Sequence, residues 1–363
     1  MKTVSKVESA ERKIPLSLSA ATERVPAMWV SWNAHRRTSG LCAAWDLPLH
    51  VIPFARGRRL RLLEQAWKTL ELLRRKKPEI LFVQNPSLAL SALALSSRRA
   101  FGYYLVVDAH NEGVRPFARR GRFVGWLTRR LLAAADATIV TNAALAKDVV
   151  AAGGRALVLS DSLPGVELPA HSAAKASTRP SMRDESPLVV VISSFMVDEP
   201  IAAILEAAAA LPEVRFAFTG DARRFRRDLA LPRNVRLTGY LADKAFWGLL
   251  SDADVICDLT LKPDCLVCGA YEGLALAKPM VLSDNPPTRD LFGPAAILTG
   301  PRPDEIAAAV RAAFAGRERL ADEARRLRET YRTGWQVRAG AAWQTICSGA
   351  AAAGRSLPGT EVQ

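Results

Sequence analysis

No run of about 18 apolar residues occurs in this 363-residue sequence, so no ordinary membrane-spanning helix is expected. Cysteine is scarce: there are five, an odd number at no regular spacing, which excludes the framework of a small disulfide-stapled domain. Cys265 and Cys268 form one C-x-x-C, but no second Cys/His pair stands at zinc-finger distance, so they read as thiols in a reducing compartment. Histidine is rarer still, at four, and no clear metal-ligand cluster is visible. Neither a metal nor a cofactor is expected. The first 24 residues lack the apolar core of a signal peptide. Residues 1–25 therefore read as a polar leader, and a cytoplasmic location is expected.

What is present is sufficient for two cores. A chain of this length with 49 % hydrophobic residues can build two domains of ordinary size. Its net charge of +14 is unevenly placed: residues 1–163 hold 26 Lys/Arg against 12 Asp/Glu, and the remainder holds 24 of each. The whole excess lies in the first half and points to an anionic partner there, nucleic acid or an acidic membrane surface. No zinc-finger, RRM or KH signature accompanies the charge, so a nucleic-acid partner is not expected.

Strand and helix alternate from Met28 to Leu159, the rhythm of a doubly wound parallel sheet. Residues 162–186 break it with Pro164, Gly165, Pro169 and Pro180, as a linker would. The alternation resumes at Leu188. The expected division is an N-terminal Rossmann-like domain at 26–163, a linker at 164–187, a second Rossmann-like domain at 188–335, and a C-terminal helix and tail at 336–363. Helices are expected at 317–331 and from 336 to about 347. A long helix over 58–77 carries Leu60, Leu63, Trp67, Leu70 and Leu73 at helical spacing.

The sharpest motif is Asp264-Cys-Leu-Val-Cys-Gly-Ala-Tyr-Glu272, which follows an apolar strand and enters an Ala/Leu helix ended by Lys278-Pro279. Ligands bind at such strand ends in open α/β sheets. Glu272 can accept both hydroxyls of a ribose. The helix N-terminus at Gly269, Ala270 and Tyr271 offers amides and a positive dipole end to a diphosphate. Asp264 can reach the hydroxyls of an attached sugar. Residue type alone equally allows Glu272 to complement the helix dipole and Asp264 to form a turn. Gly220, at the end of strand 215–219, is placed with the same group. His110, in Asp108-Ala-His-Asn-Glu112 after the fourth strand, faces the presumed crevice. It can serve as a base toward an acceptor hydroxyl or remain a loop histidine. Arg36 and Arg37, at the mouth of the first strand, suit phosphate recognition or simply a solvated basic loop.

Asp264-x7-Glu272 with Leu274-Ala-Leu-Ala-Lys-Pro-Met-Val-Leu-Ser-Asp284 resembles the E-x7-E segment of GT-B glycosyltransferases of the group 1, family 4-like kind. The resemblance is sharp at 252–292 and diffuse over 28–350. It implies two Rossmann-like domains facing a cleft, a nucleotide-diphosphate-sugar donor, Glu272 on its ribose and Asp264 on its sugar. It also implies that His110 contacts that sugar and steadies charge at its anomeric carbon. The chain departs from the pattern in three places. The first Glu is Asp264, the usual Phe-Gly-Leu is Cys265-Leu-Val267, and the basic pair after the first strand of the second domain is replaced by acidic Ser193–Glu199. Arg223, Lys262 or Arg289 is therefore expected to neutralise the diphosphate. More weakly, Glu79-Ile-Leu-Phe-Val-Gln-Asn-Pro86 resembles β-mannosyltransferases acting on a lipid-linked chitobiose, which places Asn85 with the acceptor.

Two basic stretches, 56–77 and 115–130, mix Arg and Lys with Leu, Phe and Trp. Such faces suit an anionic lipid interface, although part of each must pack on the core. The combined expectation is a metal-independent hexosyltransferase at the inner membrane face, acting on a lipid-linked or glycan acceptor in polysaccharide biosynthesis. A sugar-nucleotide epimerase and a non-catalytic scaffold are the alternatives.

Overall fold

The computed structural model describes residues 26–53, 60–85, 87–116, 121–166, 186–226 and 228–354. The first half runs β1 (Ala27–Ser31), α1 (Arg36–Ala44), β2 (Leu49–Val51), α2 (Arg61–Lys76), β3 (Ile80–Asn85), α3 (Leu88–Phe101), β4 (Tyr104–Ala109), α4 (Asn111–Val114), α5 (Gly121–Ala134), β5 (Ala137–Val140), α6 (Ala143–Ala151) and β6 (Ala156–Val158). The second half runs β7 (Leu188–Val191), α7 (Ile201–Ala209), β8 (Arg215–Thr219), β9 (Val235–Gly239), α8 (Asp243–Asp252), β10 (Val255–Asp258), α9 (Cys268–Ala275), β11 (Met280–Ser283), α10 (Pro286–Phe292), β12 (Ala296–Thr299), α11 (Pro303–Ala315) and α12 (Arg317–Ala352). Each half forms one six-stranded sheet, ordered β2-β1-β3-β4-β5-β6 and β12-β11-β10-β7-β8-β9. Every pairing is parallel. Helices cover both faces of such sheets, so the central strands are apolar until their carboxyl ends; β1 and β3 are buried at every position, the polar Ser31, Gln84 and Asn85 coming last.

The segment at 33–40 is not a loop throughout, because α1 begins at Arg36. Thr38, Ser39 and Gly40 are weak helix formers, and packing overrides them. A side chain at Gly40 would meet Oγ of Ser162 at 2.6 Å. The two expected C-terminal helices are one, α12, of 36 residues, on the order of 54 Å at the usual rise per residue. Its second half returns to the N-terminal sheet. Trp335 Nε1 donates to Ser160 O at 2.7 Å, Tyr331 Oη to Asp161 O at 2.6 Å, and Trp45 Nε1 to Ala339 O at 3.0 Å. Trp343 stacks beside Trp45 and Phe82, so a single apolar cluster runs through both halves.

The stripe expected on α2 is rotated. Leu63 and Trp67 are 68 % and 64 % exposed, while Gln65, Thr69 and Leu73 face inward. The polar inward residues find partners, though not for every atom: Gln65 Nε2 donates to Ile52 O while its Oε1 has no partner, and Thr69 Oγ1 accepts from Trp32 Nε1. Helical spacing was right, but only Leu70 and Leu73 of the stripe reach the core, and Leu60, Leu63 and Trp67 face solvent. Among the described residues no helix is long and apolar enough to cross a membrane.

Candidate functional site

The two sheets meet at a cleft, and ion pairs from both walls cross it. Glu272 lies in α9 just after β10 and is 6 % exposed. Its Oε1 accepts from Arg36 Nη1 at 2.6 Å across the cleft, and its Oε2 has no partner. Burial raises the Glu272 pKa, and Arg36 offsets part of that rise. Arg36 also donates to Asp243 Oδ1 at 3.0 Å and lies over the rings of Phe246 and Trp247. A cavity of about 400 Å³ opens here, lined among others by Arg36, Gly220, Arg224, Phe246, Cys268 and Glu272. Gly220 must be glycine: φ is +107°, and a Cβ would strike the Ser193 carbonyl.

Several groups expected to bind phosphate are committed internally. The Gly269 amide donates to Asp258 Oδ2 at 2.8 Å, and a Cβ at Gly269 would collide with that carboxylate. Ala270 N donates to Val267 O at 3.3 Å. The Tyr271 side chain turns into the core against Phe292 and Tyr331. Burial pushes the Asp258 pKa well up, the Gly269 amide opposes this, and Glu199, Glu272 and Asp198 add to the rise. The acidic stretch after β7 explains itself. Glu199 accepts from the amides of Ser194 and Phe195 and the hydroxyls of Ser193 and Ser194, so a carboxylate closes the loop where a basic pair was looked for.

The expected cations fare unequally. Arg37 is buried, and its guanidinium donates to Asp108 Oδ1, Asp161 Oδ1 and Leu159 O at 2.9, 2.5 and 2.9 Å, so it reads no phosphate. Arg289 pairs with Asp284 away from the cavity, and Arg223 pairs with Asp221. Lys262 bridges Glu112 of the N-terminal half and Asp198 of the C-terminal half at 3.1 and 3.0 Å. Asn85 is buried and donates to Gly113 O at 3.0 Å, holding the turn after β4 rather than facing an acceptor. Arg224, absent from the expectations, lines the cavity, and its Nη1 donates to the Met196 sulfur. Its place in a loop among other arginines gave no signal.

Asp264, at φ +54°, accepts from Arg115 Nη1 at 2.7 Å through Oδ2 and from Asn142 Nδ2 at 2.9 Å through its carbonyl. Arg115 also pairs with Asp148. It was counted with the basic surface, yet it turns inward and ties the two walls together. His110 stands at the end of β4, its ring edge-to-face with His35 at 4.5 Å and its Nε2 3.4 Å from Asp108 Oδ2. Burial would raise the Asp108 pKa, but Arg37 and His110 hold it well below the usual carboxylate range. The structure thus brings Arg36, Gly220 and Glu272 to one cavity and places His110 on the N-terminal wall.

The basic stretches are described in part; Arg56, Arg58, Arg59, Phe117, Arg119 and Arg120 lie outside the described residues. On α5, Phe123 and Trp126 stack 5.8 Å apart, 70 % and 47 % exposed, with Arg130 over the Trp126 ring. Both α2 and α5 pack beside α3.

Residues 21–160 match the model of the glycosyl transferase 4-like domain. No curated protein matches the sequence. Among solved structures, sucrose-phosphate synthase of Thermosynechococcus elongatus superposes with a TM-score of 0.67 at 15 % identity, over 82 % of this chain and 81 % of that one. HepE of Anabaena, solved with UDP and glucose, gives 0.67 at 14 % over 90 % and 100 %. A UDP-GlcNAc 2-epimerase of Neisseria meningitidis, bound to UDP-GlcNAc, gives 0.59 at 12 % over 89 % and 99 %.

Proposed function

We propose that this chain, a GT-B protein whose N-terminal domain is glycosyl transferase 4-like, moves a hexosyl group from a nucleotide-diphosphate-sugar to a glycan or lipid-linked acceptor. One observation carries the reading: a buried carboxylate, Glu272, with one oxygen unpartnered, beside a cavity at the head of α9. A ribose hydroxyl satisfies that oxygen. Arg36 and Arg224 take the diphosphate, and the sugar points toward Asp264 and His110. Closing the walls excludes water, so that transfer outruns hydrolysis. Two arginines suffice for the leaving group without a cation, and activity is expected to survive EDTA.

The acceptor is held on the N-terminal half. Exposed Leu63 and Trp67 on α2, and Phe123 and Trp126 on α5 among arginines, suit the interface of an anionic bilayer. Phe123→Ser with Trp126→Ser is expected to reduce flotation with phosphatidylglycerol vesicles; unchanged flotation removes the membrane from the proposal. A screen of UDP-, GDP- and ADP-sugars by thermal shift tests the donor site, since a ligand at a hundred times its Kd adds about 2.7 kcal/mol. At least one should stabilise the wild type and not Glu272→Ala. No shift with any of them ends the donor-site reading. The epimerase among the structural relatives motivates a second reading, which appearance of a new epimer from UDP-GlcNAc alone would favour.

A further inference from the structure

The loop after β7 has the donors of an oxyanion receptor. Phe195 stands at φ +55°, and the amides of Ser194 and Phe195 converge, as in the concave nest that successive backbone N–H groups offer to anions. Their anion is the carboxylate of Glu199. Ser194 N donates to Oε1 at 2.9 Å and to Oε2 at 3.1 Å, and Phe195 N donates to Oε2 at 3.0 Å. The hydroxyls of Ser193 and Ser194 complete the set, at 2.6 Å to Oε2 and 2.5 Å to Oε1. Two amides and two hydroxyls converging on one carboxylate form an array that the oxygens of a phosphate would fill equally well. Holding a phenylalanine in the left-handed region costs about 1–2 kcal/mol, which the bonds to Glu199 offset.

The nest is part of the cavity beside Glu272. Ser193 and Ser194 line that cavity, and Glu272 brings its buried, unpartnered Oε2 to the same space. Among the described residues the cations lining it are Arg36 and Arg224, and Arg36 is engaged by Glu272 and Asp243. Four uncharged donors lie beside them, and the chain's own carboxylate takes all four. Ser194 is exposed, so its donors are within reach of a ligand. Glu199 also adds to the negative field that raises the pKa of Asp258 at the head of α9. We propose that loop 193–199 is a phosphate-binding nest held shut by Glu199, an autoinhibitory contact that the donor's diphosphate must displace. The inference rests on the donor-site reading above. Carboxylate and phosphate claim the same donors and repel one another, so they cannot occupy the nest together. Glu199 competes from within the loop, at the effective concentration of a short tether, on the order of mM. A nest open in about 1–10 % of molecules lowers the apparent affinity for a diphosphate about 10–100-fold.

Calorimetric titration with pyrophosphate tests the nest without any nucleotide. Glu199→Ala, which frees all four donors, should bind pyrophosphate about 10–100-fold more tightly than the wild type. Glu199→Gln keeps an acceptor oxygen in the loop and removes the charge, so its affinity should fall between the two. Amide proton–nitrogen spectra locate the gain: the Ser194 and Phe195 signals should move as pyrophosphate is added to Glu199→Ala. Equal or weaker binding by Glu199→Ala overturns the inference and leaves Glu199 a cap of its loop, as does tighter binding with both amides unmoved. Where Glu199→Ala does not fold, Glu199→Gln decides, and pyrophosphate bound no more tightly than by the wild type overturns the inference. With a nucleotide sugar selected by thermal shift, Glu199→Ala should tighten the nucleoside diphosphate by a similar factor and leave the nucleoside unchanged; equal tightening of both overturns competition for the phosphate. A screen in which neither the wild type nor Glu199→Ala responds to any nucleotide sugar overturns the donor-site reading separately, and the pyrophosphate titration still decides the nest.

Discussion

Two neighbouring arginines at the mouth of the first strand clamp two buried carboxylates, one on each wall of the cleft, and they do opposite things. Arg37 has a side chain 1 % exposed and spends its donors on Asp108, Asp161 and a carbonyl of its own domain. Arg36, 56 % exposed, crosses to Glu272 and Asp243. The first clamp is closed: Asp108 keeps one oxygen, and it faces a histidine. The second is open: the free oxygen of Glu272 adjoins a cavity. A closed pair maintains a shape, whereas an open pair can be exchanged for a ligand.

The largest effect should come from breaking the closed pair. Arg37→Ala leaves Asp108 buried and uncompensated, which costs about 3–5 kcal/mol. Urea denaturation should show the midpoint falling accordingly; a loss comparable to that of a surface substitution would mean that Arg37 is not the clamp described here.

Acid should loosen the same wall through His35. Its folded pKa, about 4, lies below its ordinary 6.5 because of burial and the neighbouring His110. Between those values the unfolded chain binds more protons, so stability rises with pH there. The contribution is complete above 6.5 and is lost as pH falls toward 4, at most on the order of 3 kcal/mol. Asp108, whose pKa is depressed by Arg37, adds a further loss only below its ordinary carboxylate range. His35→Asn should flatten the stability profile between the two His35 values; an unchanged slope would assign it to another group.

On the open side, Glu272→Ala should leave stability nearly intact, since removing a buried, half-paired carboxylate relieves a desolvation cost. Donor affinity should fall about 10–100-fold, the worth of one or two hydrogen bonds to a charged group, measured by calorimetry with whichever nucleotide sugar the thermal-shift screen selects.

The sequence made the sheets legible because parallel strands buried on both faces are nearly continuous apolar runs, as at Ile80–Val83 and Met280–Leu282. Glu272 was legible too, because strand, loop and helix N-terminus fix its place whatever the neighbours are. What was not legible depended on partners distant in sequence. Arg36 and Arg37 are one residue apart, and only the 100° step of α1 sends one across the cleft and the other inward. Arg115 looked like surface charge until Asp148 and Asp264 were brought beside it. The first turns of the α2 stripe are exposed although their spacing is that of a buried one; Gln65 and Thr69 take the inside there because Ile52 and Trp32 offer them hydrogen bonds.

The smallest expected change in stability belongs to Arg36→Ala. Its pair with Asp243 is exposed, and Glu272, whose pKa burial already raises, can take up a proton once Arg36 is gone. The cost should therefore stay at about 0–1 kcal/mol, as for surface pairs. Its effect on ligands should depend on their charge. Arg36 now occupies Oε1 of Glu272, the oxygen a second ribose hydroxyl would use, and with Glu199 closing the loop after β7 Arg224 is, among the described residues, the other cation that lines the cavity. If Arg36 leaves Glu272 for the phosphates when a donor enters, Arg36→Ala should weaken a nucleoside diphosphate by about tenfold. It should leave the corresponding nucleoside bound equally or more tightly, because a competitor for Glu272 has gone. Equal losses for both ligands would instead make Arg36 a fixed brace of Glu272, as Arg37 is of Asp108, and the difference between the two arginines would be one of exposure alone.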